Sequence, residues 1–187
     1  MDLCALPNGR VVTIRAIRPD DAERLTLHHQ RLSPESVYRR FMGSKPTLTA
    51  SDLRYLVDID GCDHYALVAT VAEPDGEDIV AVARFVRLGQ GSDSAEFAIV
   101  VGDAWQRQGL AGELLGRLAD AAVTRGIDRF HAVVFADNVP ILRLISALAV
   151  GPITRRRDGN AIDVSFEIPA RREQAGEPAM IAAWAGS

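Results

Sequence analysis

Residues 95–112, AEFAIVVGDAWQRQGLAG, contain the pattern around which the rest of the chain is organised. Residues 97–101 form a short apolar run rich in β-branched side chains, as is typical of a buried strand. Beyond it, apolar residues recur at helical spacing, at Leu110, Leu114, Leu115, Leu118 and Ala122. The stretch therefore predicts a strand that enters a helix through a glycine-containing turn.

This turn has the chemistry of an anion site. The first amides of a helix lack intrahelical acceptors, and the helix dipole favours negative charge beside them. Gly109, Ala111 and Gly112 leave room for a ligand to approach the backbone closely. No Gly-Lys pair occurs in the chain, which excludes a Walker loop, and the glycine spacing does not match G-x-G-x-x-G. The alternative is a helix start whose small residues serve packing alone.

The hexapeptide at residues 106–111, QRQGLA, matches the pattern Q/R-x-x-G-x-G/A. In this respect the chain resembles the GNAT superfamily of N-acetyltransferases, over about residues 10–169. The resemblance implies an α/β fold, a single mixed open sheet of about seven strands with helices on both faces. It also implies acetyl-CoA as cosubstrate, no metal, and a pantetheine arm held by the strand before the turn. The cofactor-binding residues so implied are Ile99, Val100, Val101, Gln106, Arg107, Gln108, Gly109, Leu110, Ala111, Gly112 and Asn138.

A second segment, residues 32–41 (LSPESVYRRF), is similar to one branch of this family, the bacterial protein lysine acetyltransferases that modify acyl-CoA synthetases. In that branch a glutamate in an A-E-[FI]-A strand is the general base, and Glu96 occupies this position. A base is needed because free lysine, with a pKa of about 10.4, is protonated at neutral pH. The alternative is a strand-edge Glu96 paired with Arg84 or Arg87.

The sequence also departs from the family pattern. Many members have a tyrosine in the helix after Asn138 that protonates the leaving thiolate, whereas residues 138–150 contain none. Water or Ser146 could replace it. Two other functions stay open, an acetyltransferase for a small amine and a non-catalytic acyl-CoA-binding module. An acidic, enclosed acceptor pocket would favour a small amine, and an open groove beside residues 33–46 would favour a protein.

The amino-acid composition limits which classes of binding partner and which cellular compartment we expect. With 21 Lys and Arg against 25 Asp and Glu, the net charge is −4, so the basic footprint of a nucleic-acid binder is missing. Cys4 and Cys62 lack the spacing of a zinc site or a disulfide framework. No apolar run reaches the ~18 residues of a membrane span, and the N-terminus lacks a signal peptide. We expect a cytoplasmic monomer or homodimer with no membrane partner, and no fused sensor domain.

The remaining pattern predicts one domain, residues 1–169, followed by a tail at residues 170–187 that is mobile or docks. A helix is expected over residues 22–32, another begins at Pro34 with Ser33 as its cap, and a third follows the capping box at Thr49. Strands are expected at residues 10–17, 65–72, 79–88, 129–135, 153–157 and 161–168. The strand at 129–135 should lie parallel to that at 97–101.

The four histidines have no metal-ligand spacing. One run of basic residues has two interpretations. It binds an acidic partner or the 3'-phosphate of the coenzyme, or it forms a solvated hairpin edge. The run consists of Arg155, Arg156 and Arg157.

Overall fold

The structure, a computed structural model, describes residues 2–74 and 76–169. The tail predicted at residues 170–187 lies outside the described residues. The strands are β1 (Asp2–Ala5), β2 (Val11–Ala16), β3 (His64–Glu73), β4 (Gly76–Arg87), β5 (Ser94–Val101), β6 (Arg129–Phe135), β7 (Val150–Asp158) and β8 (Ala161–Glu167). The α-helices are α1 (Ala22–Gln30), α2 (Pro34–Phe41), α3 (Ala50–Val57), α4 (Leu110–Val123) and α5 (Val139–Leu148).

The strands form one open sheet in the order β1-β2-β3-β4-β5-β6-β8-β7. The β5–β6 pair is parallel, as predicted, and its neighbours in the sheet pair antiparallel. The described residues contain eight strands rather than about seven, because β1 adds an edge strand against β2. Only Cys4 of its four residues is buried, so β1 has no hydrophobic pattern that a sequence reading could detect.

Helices cover both faces of the sheet, as the α/β prediction requires. On one face α4 and α5 pack over a core that includes the stacked and edge-on rings of Phe85, Phe97, Phe130 and Phe166. On the other face α1 and α3 cover a second cluster that contains Leu25, Leu56 and Val82. The alternating side chains of β5 divide between these faces, and Glu96, Ala98 and Val100 point towards the face that carries α1, α2 and α3.

Local sequence signals predicted where the helices begin more accurately than where they end. The Ser33 hydroxyl accepts the amide of Ser36 at 3.2 Å, and Thr49 and Asp52 form the predicted capping box. Helix α1 ends at Gln30, before the predicted Leu32. The reason is tertiary, since the Ser33 amide donates to Asp103 at 2.8 Å and Pro34 disfavours a helical conformation at Ser33.

A buried ion network joins β2 to the turn before α1 and to β4. The Arg15 side chain is 3% exposed and donates to both oxygens of Asp21 at 2.7 Å, and also to Glu77. Burial by itself would raise the pKa of Asp21, but hydrogen bonds from Arg15 and from the amide of Arg18 lower it below its ordinary value. The buried guanidinium therefore has a full set of negative partners.

Among the described residues, none of the helices combines the length and the apolar composition that a membrane span requires.

Candidate active site

The central strands β5 and β6 separate along most of their length. They pair at three positions only, Ser94 with Arg129, Ala95 with Phe130 and Glu96 with His131. Beyond this point β5 stays paired to β4 as far as Val101, while β6 stays paired to β8. A wedge therefore opens between the two strands from Glu96 onward, and one backbone edge of residues 97–101 has no strand partner. Ile99, Val100 and Val101, three of the predicted cofactor-binding residues, lie along this edge.

The turn before α4 presents a row of free amides. Within residues 2–74 and 76–169, the backbone amides of five consecutive residues donate to no protein acceptor. These residues are Arg107, Gln108, Gly109, Leu110 and Ala111, and we call them the amide cradle. Arg107 (φ 59°) and Gly109 (φ 85°) adopt the left-handed conformation, and Gly109 caps α4 without a side chain. The cradle has the donors that a pyrophosphate needs, placed at a helix N-terminus.

One predicted contributor to this row is already engaged. The amide of Gly112 donates to the carbonyl oxygen of Gly109 at 3.0 Å, as part of the first turn of α4. Gly112 is therefore not among the free donors. A Cβ at this position would make only an ordinary van der Waals contact, 3.9 Å from Cδ1 of Leu144 in α5.

Side-chain contacts from distant parts of the chain hold this turn. Asp103 accepts from the hydroxyls of Ser33 and Ser36 at 2.7 and 2.9 Å, in addition to the Ser33 amide. Gln106 donates to Ser36 and to the carbonyl oxygen of Val101, both at 3.1 Å. Gln108 donates to Ala104 and accepts from Asn8. The side chains of Gln106 and Gln108 thus shape the cradle, and the start of α2 is fixed to it.

Glu96 stands where the wedge begins. Its side chain is exposed, and in the described residues it makes no hydrogen bond or ion pair. The two arginines that sequence reasoning offered as partners are bound elsewhere. Arg87 pairs with Asp63 at 2.6 Å, and Arg84 donates to the carbonyl oxygen of Leu56 at 3.2 Å. The nearby positive charge is instead that of Arg40 from α2, whose charge interacts with that of Glu96.

Two tyrosines on α2 and α3 pack against neighbouring rings. Tyr38 of α2 stacks on Phe135 of β6 with ring centroids 5.0 Å apart, and Tyr55 of α3 packs on His64 at 4.9 Å. Both tyrosines are about half exposed. Tyr38 and Phe135 also line a surface depression with Glu35, Arg39 and Asp137, and this depression does not include Arg40 or Arg84.

The other predicted residues have local partners. Asn138 caps α5, because its side-chain oxygen accepts the amide of Ile141 at 3.4 Å, and it lies just beyond the end of β6. The Ser146 hydroxyl is exposed and donates to the carbonyl oxygen of Leu142 at 2.9 Å. Arg155, Arg156 and Arg157 lie exposed on the edge strand β7. Within the described residues, none of these contacts involves Glu96.

Sequence reasoning did not assign His131 or Arg40 to this region, and it named Arg84 only as an alternative partner of Glu96. His131 is the register partner of Glu96 on β6, and Arg40 and Arg84 lie close to each other on the same side of the sheet. One signal was available for Arg84, since it is a lone charge inside the apolar run of β4. The other two residues follow only from the strand register and from the packing of α2.

Comparison with known proteins identifies the family. A family model described as acetyltransferase (GNAT) domain matches residues 12–149. The chain belongs to this family. It is 34% identical to the acetyltransferase Pat of Mycolicibacterium smegmatis over 174 residues, which is 92% of this chain and 50% of the relative. An acetyltransferase of Pseudomonas aeruginosa is 34% identical over 145 residues, 77% of each chain.

Solved structures agree with this assignment. The GNAT domain of S. lividans PAT matches with a TM-score of 0.79 and 32% identity, over 89% of this chain and 96% of that one. A cAMP-binding acyltransferase from Mycobacterium smegmatis matches with a TM-score of 0.66 and 29% identity, over 95% of this chain and 50% of that one. The chain thus spans about half the length of the M. smegmatis proteins that it matches. The predicted GNAT fold and family resemblance are confirmed.

Proposed function

We propose that this GNAT protein is an acetyl-CoA-dependent N-acetyltransferase that modifies a lysine side chain of a protein, such as an acyl-CoA synthetase. The observation that carries the proposal is the position of Glu96, an exposed carboxylate at the point where β5 and β6 part. The amide cradle lies at the opposite end of the same stretch of β5. A thioester bound along this wedge would have its phosphates at one end and a base at the other.

The cradle and the free edge of β5 would bind the coenzyme. The free amides of residues 107–111 would hold the pyrophosphate, since donors in a fixed row at a helix N-terminus bind anions without reorganisation. The unpaired edge along Ile99, Val100 and Val101 would hydrogen-bond the pantetheine arm, and Asn138 at the start of α5 would contribute from the other side of the wedge. When bound, acetyl-CoA supplies the activated acyl group.

Glu96 would act as the general base. The acceptor ammonium must lose a proton before its nitrogen can attack a carbonyl carbon, and its ordinary pKa is about 10.4. The Glu96 carboxylate is free of protein ion pairs in the described residues and open to solvent, so an amine or a bridging water can reach it. Direct attack by the neutral amine then needs no covalent enzyme intermediate. A water molecule is our preferred proton donor to the leaving thiolate, because the Ser146 hydroxyl already donates to Leu142.

Two features favour a protein acceptor over a small polyamine. The Glu96 side chain is exposed rather than enclosed, and Tyr38 of α2, a helix that contacts β5, is about half exposed. The charged side chains of the small cavity that Ala98 and Val100 of β5 line are those of Arg40 and Arg84, whereas a polyamine pocket would need carboxylates. The likeness of residues 32–41 to the protein lysine acetyltransferases supports the same choice.

A cytoplasmic location and a monomeric or dimeric state stay predictions from the sequence.

The test is a comparison of acceptors. Thiol release from acetyl-CoA would be followed with a purified acyl-CoA synthetase and, separately, with a panel of small amines. We expect release with the synthetase, together with a mass increase of one acetyl group on one lysine. Release with a small amine alone would overturn the protein-lysine proposal, and coenzyme binding without release on any acceptor would indicate a binding module.

A further inference from the structure

Two arginines are buried among residues 2–74 and 76–169, and of these one has a counter-ion. Arg15 is paired with Asp21 and Glu77, whereas Arg84 on β4, which is 4% exposed, has no carboxylate partner among the described residues. The Arg84 guanidinium donates to the carbonyl oxygen of Leu56 at 3.2 Å and to Nε2 of His64 at 3.1 Å. Both acceptors are neutral, since burial and the charge of Arg84 lower the pKa of His64 to about 4. A buried cation without a counter-ion is costly, and groups perturbed in this way cluster at functional sites.

A second unpaired guanidinium lies close by. Arg40 of α2 contacts the ring of Phe41 at 5.0 Å but forms no ion pair within the described residues. Burial lowers the pKa of Arg40, and the charge of Glu96 opposes this shift. Burial and the charge of Arg40 together lower the pKa of Arg84 to about 9. Two like charges thus lie close enough to repel each other, and an anion bound beside them would offset this repulsion.

The two arginines line the same cavity, with a volume of about 30 Å³. This is enough space for a water-sized group or for one small functional group of a larger ligand. The cavity is otherwise mainly apolar, apart from His28 and His29. These two residues are 4% and 5% exposed, and their Nε2 atoms have no partner in the described residues. An anion beside them would favour the protonated imidazoles, in which Nε2 becomes a donor.

The cavity adjoins the proposed reaction centre. Ala98, two residues after Glu96 on the same face of β5, lines it, and so does Val100. Two residues along a strand span about 7 Å, so a group held by the arginines lies within a few bonds of a substrate atom beside Glu96. Among the described residues no carboxylate side chain lines the cavity, so its lining favours an anionic occupant over a cationic one.

We propose that Arg40 and Arg84 form a binding site for a carboxylate that one of the two substrates carries close to its reacting atoms. Two guanidinium groups present paired N–H donors that match the two oxygens of a carboxylate. Two sources have this chemistry. One is the terminal carboxylate of a dicarboxylic acyl group on coenzyme A, and the other is an acidic group next to the acceptor amine. The inference that a substrate brings the carboxylate rests on the proposed function, whereas the anion site itself does not.

A binding assay without coenzyme tests the anion site alone. Succinate and its neutral diamide would be titrated against the wild type by calorimetry at constant ionic strength. Succinate should bind and the diamide should not, and Arg40→Gln should weaken succinate binding by about 10-fold or more. The matched control is Arg39→Gln, one residue along α2, whose guanidinium pairs with Glu35 at 2.7 Å and does not line the cavity. Equal binding of both compounds, or wild-type binding by Arg40→Gln, would overturn the site.

A second assay distinguishes the two sources of the carboxylate. In the donor arm, the affinities of succinyl-CoA and butyryl-CoA are compared. In the acceptor arm, kcat/KM with acetyl-CoA is compared for lysine peptides with a neighbouring Glu or Gln. A preference of about 10- to 100-fold for the carboxylate in either arm, lost in Arg40→Gln and kept in Arg39→Gln, supports the proposal and identifies the source.

Absence of a preference in both arms would overturn the substrate assignment. Failure of every coenzyme A ester to bind would contradict the proposed function instead, and the succinate titration would still decide whether the anion site exists. Arg84→Gln is a second variant for both assays. Because Arg84 is buried, its folding must first be checked by circular dichroism, and Arg40→Gln decides the outcome if Arg84→Gln unfolds.

Discussion

Glu96 of β5 and His131 of β6 form the last register pair between the two central strands, and the wedge begins directly beyond them. Paired residues of parallel strands point to the same face, so a carboxylate and an imidazole flank the mouth of the wedge. The preceding pair, Ala95 with Phe130, is fully buried and fixes the strands at that point. The position of the proposed base is thus set by the packed core immediately behind it.

Substitution of Gly109 by valine tests the amide cradle. Gly109 has a φ of 85°, and a Cβ there would lie 3.4 Å from Cδ of Pro7. A β-branched residue in this conformation costs about 1–3 kcal/mol, so the cradle must change shape. We expect acetyl-CoA affinity to fall roughly 10-fold or more, as measured by titration calorimetry. Wild-type affinity in the folded variant would contradict the phosphate-site assignment.

Gly116→Ala is the matched control within the same helix. Gly116 lies inside α4 without a positive φ, and a Cβ added there would meet no atom within 4 Å. The added methyl group should raise the free energy of unfolding by about 0.5–1 kcal/mol, since glycine loses more backbone entropy than alanine on folding. Coenzyme affinity should not change. Together the two variants separate the cradle from the helix that follows it.

Asp21→Asn tests the buried ion network. The substitution leaves the Arg15 guanidinium buried with a neutral partner in place of a bidentate carboxylate. We expect the free energy of unfolding to fall by about 3–5 kcal/mol in urea denaturation. Glu167→Gln, which removes the exposed pair with Arg129, should cost about 0–1 kcal/mol. Similar losses in both variants would argue against a special role for burial.

The stability of the protein should depend on pH through His28. Burial lowers the pKa of native His28 from 6.5 to about 4. Between these two values only the unfolded chain takes up a proton, so stability is complete above about pH 6.5 and decreases as the pH falls towards 4. His28 alone should cost about 2 kcal/mol at pH 5, and His64, whose pKa is also lowered to about 4, acts in the same direction.

Urea denaturation at pH 7.5 and pH 5 measures this effect. In His28→Gln the glutamine does not titrate, so the loss of stability between the two pH values should be smaller than in the wild type. An equal loss in both proteins would show that His28 does not contribute.

Local patterns were enough to predict much of the fold. The strand at residues 129–135 matches β6 because a short β-rich run lies between a helix end and the Asn138-Val139-Pro140 helix start. The prediction of the turn before α4 relied on a single strand-to-helix transition. Strand β1 was not predicted, because only one of its four residues has a buried side chain and the sequence there shows no alternation of apolar and polar residues.

The contacts that shape the candidate site could not be predicted in the same way. Ser33 and Asp103 are 70 residues apart, and their hydrogen bonds depend on how α2 lies across the end of β5. The charge of Arg84 inside β4 is visible in the sequence, but the lack of a counter-ion is a property of the packed structure. The same holds for the pairing of Glu96 with His131, which requires the register of two strands.

The most direct test of the central claim is the rate of thiol release from acetyl-CoA, with an acyl-CoA synthetase as acceptor, for the wild type and for Glu96→Gln. Glu167→Gln, an exposed change of the same type on β8, is the control and should keep the wild-type rate. If Glu96 is the general base, Glu96→Gln should lower the rate by roughly 100-fold or more while acetyl-CoA affinity stays nearly unchanged. A wild-type rate for Glu96→Gln would contradict the account.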